Sequence, residues 1–114
     1  MEVAKVYKRG RYASRVRELV ADFFLEEGIA APGVLLSIKH VELPKRGVVI
    51  KVMVSVFPTK VTEEIEKTLH SLENKAALFL GDRIVMRRRP IVRFIMDHGE
   101  EHRERINELL RSDS

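Results

Sequence analysis

The sequence predicts a single α+β domain in which helices cover one face of a small three-stranded sheet. Its length of 114 residues is sufficient for one hydrophobic core but not for two. Apolar residues recur with a helical period in two long segments, whereas they alternate as in strands in three others. The predicted element order is helix, strand, strand, interrupted helix, strand and a short C-terminal helical segment.

The first helix is predicted from Arg11 onward. Gly28 is placed to end it, because glycine adopts left-handed backbone conformations easily, and Pro32 prevents the helix from resuming. Residues 1–10 are basic and show no periodicity, so they are predicted to form a flexible arm beside a folded domain of residues 11–111. The apolar stripe of the helix consists of Val16, Leu19, Val20, Phe23 and Phe24.

The next two segments are predicted to pair as an antiparallel hairpin. The first strand runs from Val34 to Leu43, with a bulge near Lys39–His40 because its apolar face changes phase there. Residues 44–47 have the composition of a turn. In the second strand every other residue from Val48 to Val56 is aliphatic, which indicates one buried face.

A helical period then extends from Thr59 to about Met86. A straight helix of that length would measure about 40 Å, whereas a domain of this size has a radius of gyration of about 13 Å. The helix is therefore predicted to bend or break, and Asn74 and Gly81 are the candidate kink positions.

The third strand is predicted at residues 91–96, where apolar side chains occupy alternate positions. A final amphipathic segment follows it and carries Ile106, Leu109 and Leu110.

Basic side chains are the strongest functional signal, in a chain of formal net charge +4. The run Arg87–Arg89 lies between the long helix and the third strand. Phosphate is the ligand that such a cluster meets most easily, because releasing counterions favours each neutralised charge. The candidate RNA-binding residues are Lys5, Lys8, Arg9, Arg11, Arg15, Arg17, Lys45, Arg46, Arg83, Arg87, Arg88, Arg89 and Arg93.

A role in the fold stays open for part of this set. The three consecutive arginines cannot all face one direction, so one or two are expected to pair with Asp97 or Glu73. The seven aromatic residues include no spaced pair on a strand that would stack bases as an RNA recognition motif does. Recognition of RNA shape and backbone is therefore expected.

Several other classes of function are disfavoured. The absence of cysteine excludes disulfides and thiolate metal sites. The N-terminus lacks the apolar stretch of a signal peptide, and no run approaches the ~20 apolar residues that span a bilayer. A soluble, cytoplasmic monomer with no membrane contact is expected.

One short motif imitates a metalloprotease site. Residues 98–102, His-Gly-Glu-Glu-His, fit the H-x-x-E-H pattern, but Gly99 weakens a helix there and only twelve residues remain to supply a third ligand. No other catalytic set is apparent. The prediction is that the protein is not an enzyme and uses no metal, cofactor or small-molecule substrate.

In the order and spacing of its elements, the chain resembles the ribosome-binding factor A family over nearly its whole length. The residues that carry the resemblance are Arg15-Val16, Glu18, Pro32, Val41-Glu42-Leu43, residues 51–57 (KVMVSVF), Leu80-Gly81, the arginine run, Pro90, Phe94, Asp97 and residues 105–110 (RINELL).

This resemblance implies a KH-like fold of the type II order across residues 11–111, without the usual GxxG phosphate clamp. In place of that clamp the family has a helix–kink–helix with an Ala-x-Gly bend. The matching positions here are Leu72-Glu73-Asn74, which depart from that motif.

The resemblance also implies the function. Family members bind the immature small (30S) ribosomal subunit and its 16S rRNA, assist late maturation and rRNA processing, and are not enzymes. Two other readings remain open from the residues: a general KH-type RNA-binding module that acts away from ribosomes, and a protein-interaction domain that uses the acidic C-terminal segment.

Overall fold

The computed structural model describes residues 9–97, with side chains from residue 10 onward. Over this range the predicted α+β class and element order are confirmed. Residues 1–8 of the predicted arm, the His98–His102 motif and the C-terminal amphipathic segment lie outside the described residues. The elements are α1 (Arg9–Glu27), β1 (Leu35–Glu42), β2 (Val49–Phe57), a 3-10 turn (Thr59–Val61), α2 (Thr62–Ser71), α3 (Glu73–Gly81) and β3 (Ile91–Met96).

Helix α1 begins two residues before the predicted start and ends as predicted at a glycine. Gly28 has a φ of +59°, and its N–H donates to the carbonyl of Leu25 at 3.2 Å. The N–H of Ile29 donates to the carbonyl of Phe24 at 3.4 Å. This pair of bonds is the Schellman arrangement, which satisfies carbonyls that the end of the helix leaves without partners.

The sheet has the strand order β1-β2-β3, with β2 in the centre. Strands β1 and β2 form the predicted antiparallel hairpin, and its register shifts between Ile38 and His40, which confirms the predicted bulge. Strand β3 runs parallel to β2, so the chain crosses the sheet through α2 and α3 between them.

The core lies between the sheet and the helices. The side chains of Ile50, Val52, Val54 and Val56 alternate along β2 and are all buried. They meet an equally buried stripe of α1 that includes Phe23, as the 3.6-residue period predicts. On the opposite face of the sheet Leu35 and Phe57 are largely exposed, so the helices of the described part cover one face only. None of these helices is long and apolar enough to cross a membrane.

The predicted long helix is interrupted, and of the two candidate positions only Gly81 coincides with a helix end. The break falls at Leu72, whose φ of −101° and ψ of 2° separate α2 from α3. Asn74 lies inside the first turn of α3 rather than at a kink, and no non-glycine residue in the described range has a positive φ. Gly81 is the last residue of α3, so the helix ends there instead of continuing to Met86.

A side-chain hydrogen bond accompanies the break. The hydroxyl of Ser71 donates to the carbonyl of Thr68 at 2.6 Å, which is the carbonyl that the N–H of Leu72 would use in a continuous helix. The N–H of Leu72 instead donates to the carbonyl of Leu69 at 3.0 Å. This tighter bond turns the chain, and the partly buried side chain of Leu72 packs against the core.

Candidate nucleic-acid interface

The segment that carries the arginine run is an irregular loop fixed at both ends. We call residues 82–90, between α3 and β3, the arginine loop. Ile84 is buried in the core, and its N–H donates to the carbonyl of Leu80 at 2.9 Å. Pro90 is buried at the other end, next to the first residue of β3. The three consecutive arginines are exposed between these anchors.

The topology brings this loop to the turn of the hairpin. Because β3 is parallel to β2, both strands start at the same end of the sheet. The N–H of Ile91 donates to the carbonyl of Val48 at 2.9 Å, which joins the loop to the start of β2. The first turn of α1 reaches the same end, where Tyr12 lies near the turn.

These three segments enclose an open cavity of about 770 Å³. Its apolar surface includes Val48 and Ile50 of the hairpin and Val85 of the arginine loop, and Val85 is 72% exposed. Tyr12 contributes an aromatic ring. Burial raises the pKa of the Tyr12 phenol above its ordinary value, so the group is neutral at physiological pH.

The rim of the cavity is cationic. Arg46 comes from the hairpin turn, and Arg87 and Arg88 come from the arginine loop. Among the described residues, no aspartate or glutamate lines the cavity. These three guanidinium groups make no ion pair and no hydrogen bond within the part of the chain that the structure describes.

Arg89 belongs to a neighbouring depression of about 470 Å³, which it shares with Arg93 and Asn74. Of the acidic partners expected for the arginine run, Glu73 binds Arg93 instead, with 3.4 Å between a guanidinium nitrogen and a carboxylate oxygen. None of the three consecutive arginines has an ion-pair partner among residues 9–97. The expectation that one or two of them would pair is therefore wrong for this range.

Three other predicted RNA-binding residues have contacts within the fold. The guanidinium of Arg83 lies 3.5 Å from the centre of the Phe79 ring and donates to the carbonyl of Phe79 at 3.1 Å. Arg17 donates to the carbonyl of Lys39, the bulged residue of β1, at 3.0 Å. Arg15 pairs with Glu18 at 3.1 Å on the surface of α1.

The remaining basic candidates are not brought into the cavity. Arg11 and Lys45 are exposed and adjoin two residues of its lining, Tyr12 and Arg46. Arg9 is the first residue of α1, and its side chain lies outside the described part, as do Lys5 and Lys8. Within residues 9–97 no group of three His, Cys, Asp or Glu side chains is placed to hold a metal ion.

Comparison with known proteins assigns the family. The sequence model of ribosome-binding factor A matches residues 8–110. The chain belongs to the ribosome-binding factor A family. A ribosome-binding factor A from Caldanaerobacter subterraneus subsp. tengcongensis is 30% identical over 110 residues, which cover 92% of this chain and 88% of that protein.

A solved structure agrees with this assignment. The crystal structure of ribosome-binding factor A from Thermus thermophilus superposes with a TM-score of 0.67 at 25% sequence identity. The match covers 79% of this chain and 97% of that one. The KH-like fold expected from the sequence is confirmed. The helix break at Leu72 lies within the three positions that match the Ala-x-Gly bend of the family.

The cavity was not predicted from the sequence. Tyr12, Val85 and Met86 line it, but each looks like an ordinary residue of an amphipathic segment when the sequence is considered alone. The sequence contained one indication of the cavity, the predicted turn at residues 44–47 with its basic residues. If the third strand were parallel to the second, this turn and the arginine run would lie at the same end of the sheet.

Proposed function

We propose that this member of the ribosome-binding factor A family binds the immature small (30S) ribosomal subunit through its 16S rRNA and assists late maturation and rRNA processing. Family membership supports ribosome binding. The observation that carries the RNA contact is the group of unpaired guanidiniums of Arg46, Arg87 and Arg88 around one cavity.

The chemistry of these side chains fits phosphate. A guanidinium presents several N–H donors in a planar fork and can contact two phosphate oxygens at once. Since these arginines have no partner within the described residues, binding RNA would break no ion pair among residues 9–97. Arg83 and Arg17 differ, because both already donate to backbone carbonyls and would have to give up those bonds.

Arg89 and Arg93 extend the basic surface past the cavity toward α3. Arg11 and Lys45 extend it toward the N-terminus and the hairpin turn. On this proposal the protein acts by binding and orienting rRNA, and it performs no covalent step.

The experiment is co-sedimentation of the protein with immature and mature small subunits over a graded series of salt concentrations. Each phosphate contact adds about 0.7–0.9 to the slope of log affinity against log salt. A steep slope together with a preference for immature subunits is the expected result. Binding that is indifferent to salt would contradict the phosphate-contact model.

The same experiment separates the alternatives. A general KH-type RNA-binding module would bind mature subunits and unrelated RNA equally well. A protein-interaction domain would not sediment with purified subunits in either state.

A further inference from the structure

The depression between α3 and the start of β3 contains the polar groups that a sugar–phosphate unit of RNA needs. We propose that it holds one such unit of a single strand. Arg89 and Arg93 bind the phosphate, and the side-chain amide of Asn74 accepts a hydrogen bond from the ribose 2′-hydroxyl. This inference rests on the proposed RNA binding and adds to it a site that distinguishes RNA from DNA.

Two elements that pack together form this depression. Asn74 and Ala77 lie three residues apart on α3, so their side chains face the same side of that helix. Arg89 and Pro90 are the last residues of the arginine loop, directly before β3. Because α3 packs against β3, Asn74 of the helix and Arg93 of the strand line one depression of about 470 Å³.

The fold holds the guanidinium of Arg93 in position. One of its terminal nitrogens lies 3.4 Å from a carboxylate oxygen of Glu73, and the other oxygen of that carboxylate accepts from the backbone N–H of Phe94 at 2.8 Å. The same nitrogen of Arg93 donates to the carbonyl of Val92 at 3.4 Å. Both bonds among residues 9–97 use this one nitrogen, so the other N–H donors of the guanidinium can contact a phosphate.

The charge of the site matches a single phosphodiester. Glu73 offsets the charge of Arg93, whereas Arg89 has no ion-pair partner among residues 9–97. One net positive charge remains, and it balances the one negative charge that a phosphodiester carries. The planar fork of each guanidinium fits the oxygens of that phosphate.

Asn74 supplies the group that a ribose hydroxyl requires. Its side-chain amide has a carbonyl acceptor and two N–H donors. The residue is exposed, and this amide makes no hydrogen bond within the described part of the chain. The 2′-hydroxyl is the group by which a protein can tell RNA from DNA. Because none of the described residues that line the depression is aromatic, its surface favours the sugar–phosphate backbone over a base.

The first experiment measures the affinity of the full-length protein for three single strands of five uridine nucleotides, by fluorescence anisotropy at low salt. The first strand is RNA, the second has 2′-deoxy sugars, and the third has 2′-fluoro sugars. All three have the same bases and phosphates. The fluoro strand lacks the hydroxyl but keeps the sugar conformation of RNA. One hydrogen bond corresponds to about two- to tenfold tighter binding of the RNA than of either other strand.

The matched variants are Asn74→Ala and Arg89→Ala. Asn74→Ala removes the amide, so it should bind the three strands with nearly equal affinity. Arg89→Ala removes a phosphate contact, so it should weaken binding of all three strands by a similar factor and keep the preference for RNA. Both side chains are exposed, and alanine favours the helical conformation of α3 more than asparagine does. Thermal unfolding checks that each variant keeps its fold.

A second measurement uses the wild-type protein. The chain contains two asparagines, Asn74 and Asn107, and no glutamine. The side-chain amides therefore give only two pairs of NH₂ signals in a ¹H–¹⁵N NMR spectrum, and the pair missing from the spectrum of Asn74→Ala belongs to Asn74. This pair should shift more on addition of the RNA than on addition of the deoxy strand.

Equal affinity of the wild-type protein for the three strands, or a preference for RNA that persists in Asn74→Ala, would overturn the proposal. A fluoro strand that binds as tightly as RNA would also overturn it, because sugar conformation and not the hydroxyl would then explain the preference. If subunit co-sedimentation remains salt-dependent in any of these cases, only the ribose contact fails and the proposed function stands.

Discussion

The carboxylate of Glu73 accepts a hydrogen bond of 2.8 Å from the backbone N–H of Phe94, at the outer edge of the sheet. Within the described residues strand β3 pairs only with β2, so the other backbone groups of this edge need partners elsewhere. His70 Nε2 donates to the carbonyl of Phe94 at 3.2 Å. His70 lies before the helix break at Leu72 and Glu73 lies after it. Together the two side chains bind both backbone groups of Phe94.

Replacing Glu73 with alanine should destabilise the fold. The partly buried N–H of Phe94 would lose its partner, which costs about 1–3 kcal/mol in the free energy of unfolding. Glu73→Gln keeps an acceptor oxygen and should cost less. Urea unfolding measures both variants. Glu26→Ala, on the exposed side of α1, is the control and should change stability by less than about 0.5 kcal/mol; a loss as large as that of Glu73→Ala would contradict the proposed cause.

Removing the arginine run should weaken RNA binding without unfolding the protein. Replacing Arg87, Arg88 and Arg89 with alanine removes up to three phosphate contacts, so the salt slope of subunit binding should fall by about 2–3. The melting temperature should stay nearly unchanged, because none of the three has an ion-pair partner in the described range.

The matched control for that variant replaces Lys39, Lys60 and Lys67 with alanine. It removes the same three charges from exposed positions that do not line the cavity. Its salt slope should stay close to that of the wild type. A large loss of stability in the arginine variant, with subunit binding intact, would assign the run to the fold instead.

Replacing Arg83 should affect the stability of the fold more than RNA binding, in contrast to replacing Arg87, Arg88 and Arg89. Its guanidinium lies over the Phe79 ring, a contact worth about 0.5–1 kcal/mol at an exposed site. Arg83→Ala should therefore lower the free energy of unfolding by roughly that amount, while subunit binding at low salt changes less than in the arginine-run variant. If subunit binding fell as far as in that variant with stability unchanged, Arg83 would belong to the RNA surface.

The phenol of Tyr12 should contribute to alkaline instability. Burial raises its pKa above the ordinary value of 10.0, so the folded state holds the phenolic proton more tightly than the unfolded state does. Below the unfolded pKa this group has no effect on the pH dependence of stability. As the pH rises above that value, the unfolded state loses the proton first and stability falls.

Urea unfolding at a series of pH values measures this decline. Tyr12→Phe should decline less steeply than the wild type above pH 10, since it has no proton to release at this position. Tyr7→Phe, the same change at the other tyrosine of the chain, provides the comparison. Identical curves for wild type and Tyr12→Phe would show that the phenol does not contribute.

The sequence by itself determined the class and order of the elements. The aliphatic alternation from Val48 to Val56 allows only one face of β2 to be buried, and the phase change near Lys39 requires a bulge for the same reason. Gly28 ends α1 as predicted because the left-handed conformation at that position favours a residue without a Cβ. These features depend on local backbone preference and on which side chains avoid water.

Only the tertiary structure decided where the helix breaks and which arginines are available. At the break the Ser71 hydroxyl donates to the carbonyl of Thr68, and the side chain of Leu72 packs against the core, a contact that composition does not reveal. Arg83 and Arg87 look equivalent in the sequence, but one lies on Phe79 and the other borders the cavity. The parallel pairing of β3 with β2 joins segments about forty residues apart in the chain, and that pairing forms the cavity.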